Sequence, residues 1–273
     1  MSGKSVTGVR DYFDAWTSVI LSDVGHTYQA GTVIGHSATP YRDTNVFLAG
    51  RAGIGAGMRV LDAGCGACGP AVDIVEHTGD LTIDAMTISE VQAAAGTAHL
   101  QARGLADRIR VRVGDYHQMP FPDGTFDVVY FLESACYTED NVALFGEALR
   151  VLKPGGALYV KDQFVEEGPL TPAETTALAG MNEIFACNIT RLLDEVAQAI
   201  ADAGFIDVQA GGRDFFDHAE YKKAMAKFLD ERPLLGADGR PQLTSLGQGH
   251  QYPGVLEGTP PVFTADIRAI RPR

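Results

Sequence analysis

Asp62-x-Gly64-x-Gly66-x-x-Gly69 is the densest concentration of chemistry in this chain. A short apolar run, Val60-Leu61, ends in the carboxylate, and the glycines lead into Pro70 and the apolar Val72, Ile74 and Val75. The pattern predicts a strand, a tight turn and a helix start, the opening of a βαβ unit. Glycine supplies backbone angles closed to other residues and lets a ligand lie against the main chain. The same spacing satisfies a dinucleotide fingerprint, with Asp84 near the distance expected for a ribose-binding acid. Asp62 discriminates between the ligands. A pyrophosphate would be repelled by a carboxylate at that place, whereas a ligand carrying an ammonium and a sulfonium would be attracted. Cys65 and Cys68 form a C-x-x-C in the same loop, but no second pair completes a zinc site. With Cys136 and Cys187 they are expected to be reduced and buried, and no metal site is assigned.

The elements that must position this turn follow from periodicity. Asp11 to Tyr28 carries Tyr12, Phe13, Trp16, Val19, Ile20 and Leu21 largely at helical spacing, which predicts an amphipathic helix. It is either a lid over the site or an ordinary packing helix. Gln29 to Tyr41 reads as loop and about Asp43 to Ala52 as helix. Strands are expected at Leu81 to Met86, Ile109 to Val113, Phe126 to Leu132 and Ala157 to Val160, with a helix from Glu90 to Arg103 ended by Gly104. A further helix runs up to Lys153-Pro154-Gly155-Gly156. Beyond about Phe164 come an insertion (Glu166 to Cys187), a helix (Arg191 to Ala203), a strand (Phe205 to Gln209), a helix (Tyr221 to Leu229), a Gly- and Pro-rich stretch (Glu231 to Pro260) and a last strand (Phe263 to Ile270). Alternating strands and helices imply an α/β fold, a Rossmann-like, doubly wound, mostly parallel seven-stranded sheet. Ligands of such sheets bind beyond the carboxyl ends of the strands. Gly64, Thr87, Asp115 and Glu133 all fall there.

Composition narrows the classes. With 45% hydrophobic and 21% charged residues the chain suits a soluble globular protein. A net charge of -13 without a Lys/Arg cluster argues against nucleic-acid binding. The amino terminus lacks an apolar core of signal-peptide length, and no apolar run approaches a membrane span. A cytoplasmic location is the expectation, with no membrane association; homo-oligomer formation is left open.

Several motifs coincide: VLDAGCG, MTIS followed by Gln92, GDYHQMPFPDGTFDVV and VLKPGG. Over roughly Val60 to Val160 they resemble class I S-adenosylmethionine (SAM) methyltransferases. The resemblance implies a division into residues 1–45, an N-terminal helical lid, and residues 46–273, the methyltransferase domain. It implies SAM as cofactor, held by Asp62, Ala63, Gly64 and Gly66, with Asp115 and Tyr116 (or His117) near the adenine. MTIS-x-x-x-Q is similar to the carbon-methylating subgroup that includes sterol and cyclopropane-fatty-acid enzymes. In that subgroup hydroxyl, amide and main-chain groups replace an acid at the ribose, which points to Thr87, Ile88 and Gln92. Within it, LSDVGHTY (Leu21 to Tyr28), ESACY (Glu133 to Tyr137) and FACNIT (Phe185 to Thr190) resemble segments of bacterial geranyl diphosphate C-methyltransferases. Cys68 stands where that family has glycine, Tyr28-Gln29-Ala30 replaces a His-rich run, and the carboxyl-terminal third departs from it.

The implied reaction is methylation of an alkene carbon of an isoprenoid. The π bond must be held in line with the sulfonium methyl. Aromatic faces stabilise the resulting carbocation, the candidates being Trp16, Tyr28, Tyr137 and Phe185. A base then removes a proton, the role the resemblance gives Glu133. His26 and Asn188 are further candidates for the pocket wall. A diphosphate substrate would need cations, Arg42, Arg191 and Arg213 being candidates, or Mg²⁺ held by the diphosphate and water. Methylation of nitrogen or oxygen, a SAM-binding subunit without turnover, and a nicotinamide oxidoreductase are the competing readings.

Overall fold

A computed structural model describes residues 5–189, 191–220 and 260–273. The chain opens with α1 (Val6–Asp23), a two-residue strand β1 (Thr32–Val33) and α2 (Pro40–Ala52). There follow β2 (Arg59–Ala63), α3 (Gly69–Thr78), β3 (Thr82–Thr87), α4 (Glu90–Arg103), β4 (Ile109–Val113) and β5 (Phe126–Leu132). A 3₁₀ turn (Ala135–Tyr137), α5 (Asn141–Val151) and β6 (Leu152–Val165) lead to α6 (Pro172–Phe185) and α7 (Leu193–Asp202). β7 (Ile206–Gly211), β8 (Phe216–Asp217) and β9 (Val262–Ile270) complete the described elements.

Among the described residues seven strands make one sheet in the order β4-β3-β2-β5-β6-β9-β7, and β1 pairs with β8. β2 through β6 are mutually parallel; β9 runs antiparallel between β6 and β7. Helices cover both faces, so consecutive strand residues enter different cores. Leu61, Val129 and Leu158 join Phe145 and Ile200 on one side, while Val60, Val128 and Tyr159 join Leu48 and Ile74 on the other. This double cover is why FDVVYFL is apolar throughout. It also leaves the carboxyl ends of β2 to β5 as the open rim.

Local chemistry sets the helix ends. Ser89 caps α4 by accepting from the Gln92 amide at 3.0 Å, and Gly104 ends it in the left-handed region at φ +67°. Two glycines of the turn after β2 are required for different reasons. Gly64 has φ +107° and a Cβ there would collide with Ser134; a Cβ on Gly69 would collide with the His26 carbonyl and the Thr27 hydroxyl. Cys68 takes φ +65° despite its side chain, and Gly96 on α4 makes room for its sulfur.

Several boundaries differ from expectation. α1 starts at Val6, capped by the Ser5 hydroxyl, and ends at Asp23, leaving Tyr28 in a loop. α2 starts at Pro40, which is pre-set for a first helical turn; the division at 45/46 therefore falls within it. β6 runs through Lys153–Gly156 and on to Val165 because β9 pairs along it from Ala157 to Val165. The expected insertion contains α6. The expected helix Tyr221 to Leu229 and nearly all of the Gly- and Pro-rich stretch Glu231 to Pro260 lie outside the described residues. No helix among the described residues is long and apolar enough to cross a membrane.

Gly64→Ala must adopt φ +107° and displace Ser134. Its expected cost is on the order of 1–3 kcal/mol, read as a lowered melting temperature; an unchanged melt would refute this account of the turn.

Candidate active site

One cavity, with about 1110 Å³ of empty space including its mouth, lies across the carboxyl ends of β2, β3, β4 and β5. Its floor is the turn after β2 (Asp62, Gly64, Cys65, Gly66, Ala67), and Thr87, Ile88 and Gln92 form one wall. Asp115, Tyr116 and His117 come from the end of β4, and Glu133, Ser134 and Tyr137 from the end of β5. The roof is α1, which turns Val6, Val9, Phe13, Thr17 and Ile20 inward at helical spacing, and the loop with His26, Tyr28 and Gln29. No Lys or Arg is among these lining residues.

Asp62 is 2% exposed and its Oδ2 has no hydrogen-bond partner. Burial pushes its carboxyl up to about 7, with the Tyr130 hydroxyl only partly offsetting this. A buried carboxylate with one unpartnered oxygen on the floor of a cavity fits a cationic ligand atom, as a SAM ammonium would supply. Thr87 and Gln92 form one polar unit. The Thr87 hydroxyl donates to Gln92 Oε1 at 2.6 Å, which leaves the Gln92 amide nitrogen beside Gly66. Asp115 Oδ1 bonds His117 Nδ1 at 2.6 Å, and His117 Nε2 lies 2.6 Å from the Thr138 hydroxyl. The Tyr116 hydroxyl donates to the Ser134 carbonyl at 3.2 Å, and burial raises its pKa. Ala63 contributes support: its carbonyl accepts from Ser134 Oγ at 2.7 Å.

Glu133 stands in the left-handed region at φ +51°, a strained backbone for a residue with a side chain. Its Oε2 accepts from the Ala30 amide at 2.7 Å, and its Oε1 from the Gly31 amide at 3.1 Å and from Lys161 Nζ. The carboxylate is thus tied to the roof and to β6; it caps no helix. The aromatic rings that reach the cavity are Phe13, Tyr28, Tyr116 and Tyr137, with Phe13 packed edge-on to Tyr137 at 5.2 Å. His26 lines it too, stacked on His99 at 3.7 Å, and burial lowers the pKa of both imidazoles.

Three expected wall residues are placed elsewhere. Trp16 is 6% exposed and is not among the lining residues; it packs with Ile20 and Tyr28 in an apolar cluster that borders the cavity. Phe185 packs in that cluster and in the one around Cys136 and Met181. Asn188 lies outside the lining, its backbone N–H donating to the Cys136 carbonyl at 2.8 Å. Arg42, Arg191 and Arg213 do not line the cavity either; they bond Glu76, Asn141 and Glu166. Asp84 lies inside β3 and pairs with Arg59 at 2.8 Å, away from any ribose position at the strand end. All four cysteines are buried and none forms a disulfide.

Three groups escaped sequence reasoning. Phe13 is a wall residue that helical spacing alone could have paired with Val9 and Thr17. Asp14 accepts from the buried Ser89 hydroxyl at 2.5 Å and so joins α1 to the cap of α4. Lys161 lies just past the apolar run Leu158–Val160, where a charge at a strand end was the available signal.

Residues 61–160 match the family described as "Methyltransferase domain". A sterol 24-C-methyltransferase of Gibberella zeae is 41% identical over 114 residues, covering 42% of this chain and 30% of that protein. A 24-methylenesterol C-methyltransferase of Oryza sativa subsp. japonica is 36% identical over 152 residues, covering 55% of this chain and 41% of that protein. The chain thus matches about a third of the length of such relatives. The geranyl diphosphate C-methyltransferase of Streptomyces coelicolor A3(2), with Mg²⁺, geranyl diphosphate and S-adenosyl-L-homocysteine, superposes with TM-score 0.69 at 19% identity, over 99% of this chain and 100% of that one. The [4+2]-cyclase SpnF superposes with TM-score 0.79 at 22% identity, over 100% of this chain and 98% of that one. At such identities these structures show the fold: the class I, Rossmann-like one.

Three outcomes follow from the geometry. Protonated Asp62 cannot balance a ligand ammonium, so SAM affinity should weaken by up to roughly tenfold per pH unit below about 7. Calorimetry across this range checks it, and Asp62→Asn should bind weakly without the pH dependence. In the ligand-free chain the sign reverses. The raised carboxyl keeps a proton that the unfolded chain has lost, so stability from this group is full at acid pH and declines as pH rises toward about 7. Asp14→Ala, which frees α1 from Ser89, should weaken SAM binding about fivefold, the equivalent of ~1 kcal/mol for one hydrogen bond; an unchanged dissociation constant would refute the tether.

Proposed function

We infer that this chain, whose residues 61–160 match a methyltransferase domain, uses SAM to methylate an alkene carbon of an isoprenoid or sterol-like substrate. The observation that carries the reading is the pairing of two carboxylates on adjacent strands, the buried Asp62 with one oxygen unpartnered and the part-buried Glu133 fully bonded, at one largely apolar cavity. Carbon-methylating relatives and neighbours support it. The turn from Asp62 to Gly66, with Thr87, Ile88, Gln92 and Asp115, would hold SAM. When bound, SAM supplies an electrophilic methyl group on a sulfonium.

The chain's own residues do the rest. α1 and the loop after it, the proposed lid, exclude water and press the alkene against the floor. Phe13, Tyr28 and Tyr137 present π faces to positive charge developing on the substrate carbon. Glu133, negatively charged at the cavity wall, stabilises that charge and then takes the proton from the neighbouring carbon, which restores an alkene. Arg42, Arg191 and Arg213 are committed elsewhere, so the described wall suits an uncharged chain better than a diphosphate. Mg²⁺ would belong to a diphosphate substrate only.

Incubation with methyl-labelled SAM and a panel of isoprenoid alcohols, sterols and isoprenyl diphosphates tests the reading. A carbon-methylated neutral product is expected; exclusive N- or O-methylation would overturn it. Glu133→Gln should keep SAM binding while losing turnover by on the order of 100-fold or more.

A further inference from the structure

β6 passes through the middle of the sheet with apolar residues on both faces, yet Lys161 is wholly buried in it. Its ammonium has three hydrogens and finds three acceptors: Gln29 Oε1 at 3.0 Å, the Gly31 carbonyl at 2.7 Å and Glu133 Oε1. The Phe216 ring lies 5.6 Å away and completes its surroundings. Burying an ammonium is costly, and apolar residues in place of a buried ion pair often leave a fold as stable or more so. Stability therefore does not account for a lysine here. Its partners do: Glu133 ends β5, and residues 29–31 belong to the loop that carries Tyr28 and His26 into the cavity roof.

We infer that Lys161 is a positioning residue for methyl transfer, clamping the Glu133 carboxylate and residues 29–31 into one unit at the rim of the sheet. The inference rests on reading Glu133 as the proton acceptor. The carboxylate oxygens also take the amides of Ala30 and Gly31, so lysine and loop hold it from two sides. That pins a side chain whose own backbone is strained. The other titratable groups facing Glu133 are Asp162 on β6, Tyr41 on α2 and Cys136 in the 3₁₀ turn, none of them cationic. Lys161 is the cation that balances Glu133 among the described residues. It is not itself among the lining residues and acts through the carboxylate.

Lys161→Met keeps an unbranched side chain one atom shorter and removes its charge. Its kcat is expected to fall on the order of 100-fold while the SAM dissociation constant stays within about threefold. Lys161→Arg should restore part of the rate. In a Glu133→Gln background Lys161→Met should cost little more, since the two act as one unit. A kcat within about threefold of the parent, or full additivity in the double variant, would overturn the inference. Should circular dichroism show Lys161→Met unfolded, Lys161→Gln carries the same readouts; equal loss of turnover and SAM binding in the folded variant would mark a purely structural lysine and also overturn it. If the parent makes no carbon-methylated product, or Glu133→Gln keeps full kcat, the reading of Glu133 fails instead. A normal product and an inactive Glu133→Gln, beside an unperturbed Lys161→Met, would overturn the role of Lys161 alone.

Discussion

Two carboxylates leave adjacent parallel strands at the same rim, and the chain treats their charges in opposite ways. Glu133 at the end of β5 receives two backbone amides and a buried lysine. Asp62 at the end of β2 keeps an oxygen with no partner at all, in a place too dry to ionise easily. A buried polar group left unpaired costs free energy, and such groups are rare enough in folded proteins to demand a reason. A cationic ligand provides one. The asymmetry therefore divides the cavity: one anion is reserved for a partner that arrives, and the other is completed by the fold.

The completed anion organises the roof. Residues 24–31 contain no helix or strand, so their polar groups must be satisfied by side chains. Gln29 donates to Asn45 at 2.9 Å, and Asn45 donates in turn to Thr27 and to Asp73 on α3. Lys161 and Glu133 hold the other end. The His26–Thr27 backbone then lies flat on Gly69, where any side chain would lift it off. α1 continues from this anchored loop, and Asp14 fixes it to the cap of α4. The roof is thus bonded to three strand–helix junctions at once, which is the geometry expected of a cover that excludes water from charge developing beneath it.

Much of this was legible in the sequence because it is local. Apolar runs bounded by glycine and acid located β2, β3, β4 and β5, and the rule that ligands sit at strand ends then placed Asp62, Thr87, Asp115 and Glu133 on one rim. Helix α4 was legible to the residue because Ser89 and Gly104 punctuate it. What stayed hidden depends on which way a residue faces or on partners far along the chain. Trp16 and Phe13 share a helix and an aromatic character, yet only the packing of α1 decides that Phe13 meets Tyr137 while Trp16 turns into its own cluster. Lys161 was hidden because the strand was taken to stop at Val160, and only pairing with β9, about a hundred residues later, carries it on to Val165. Cys68 replaced an expected glycine without harm because Gly96, on another helix, makes the room.

The many hydrogen bonds on Glu133 pose a chemical question. The proposed role asks this carboxylate to take a proton from a C–H bond beside a cationic carbon, and such a bond surrenders its proton readily. The acceptor must then be fixed close to where the charge appears and shielded from water that would otherwise capture the cation. Fixed donors aimed at a carboxylate would provide the first at no reorganisation cost during reaction. The apolar stripe of α1 would provide the second. A free glutamate would move and be solvated; the bonded one keeps its position, which is what a short-lived carbocation would require.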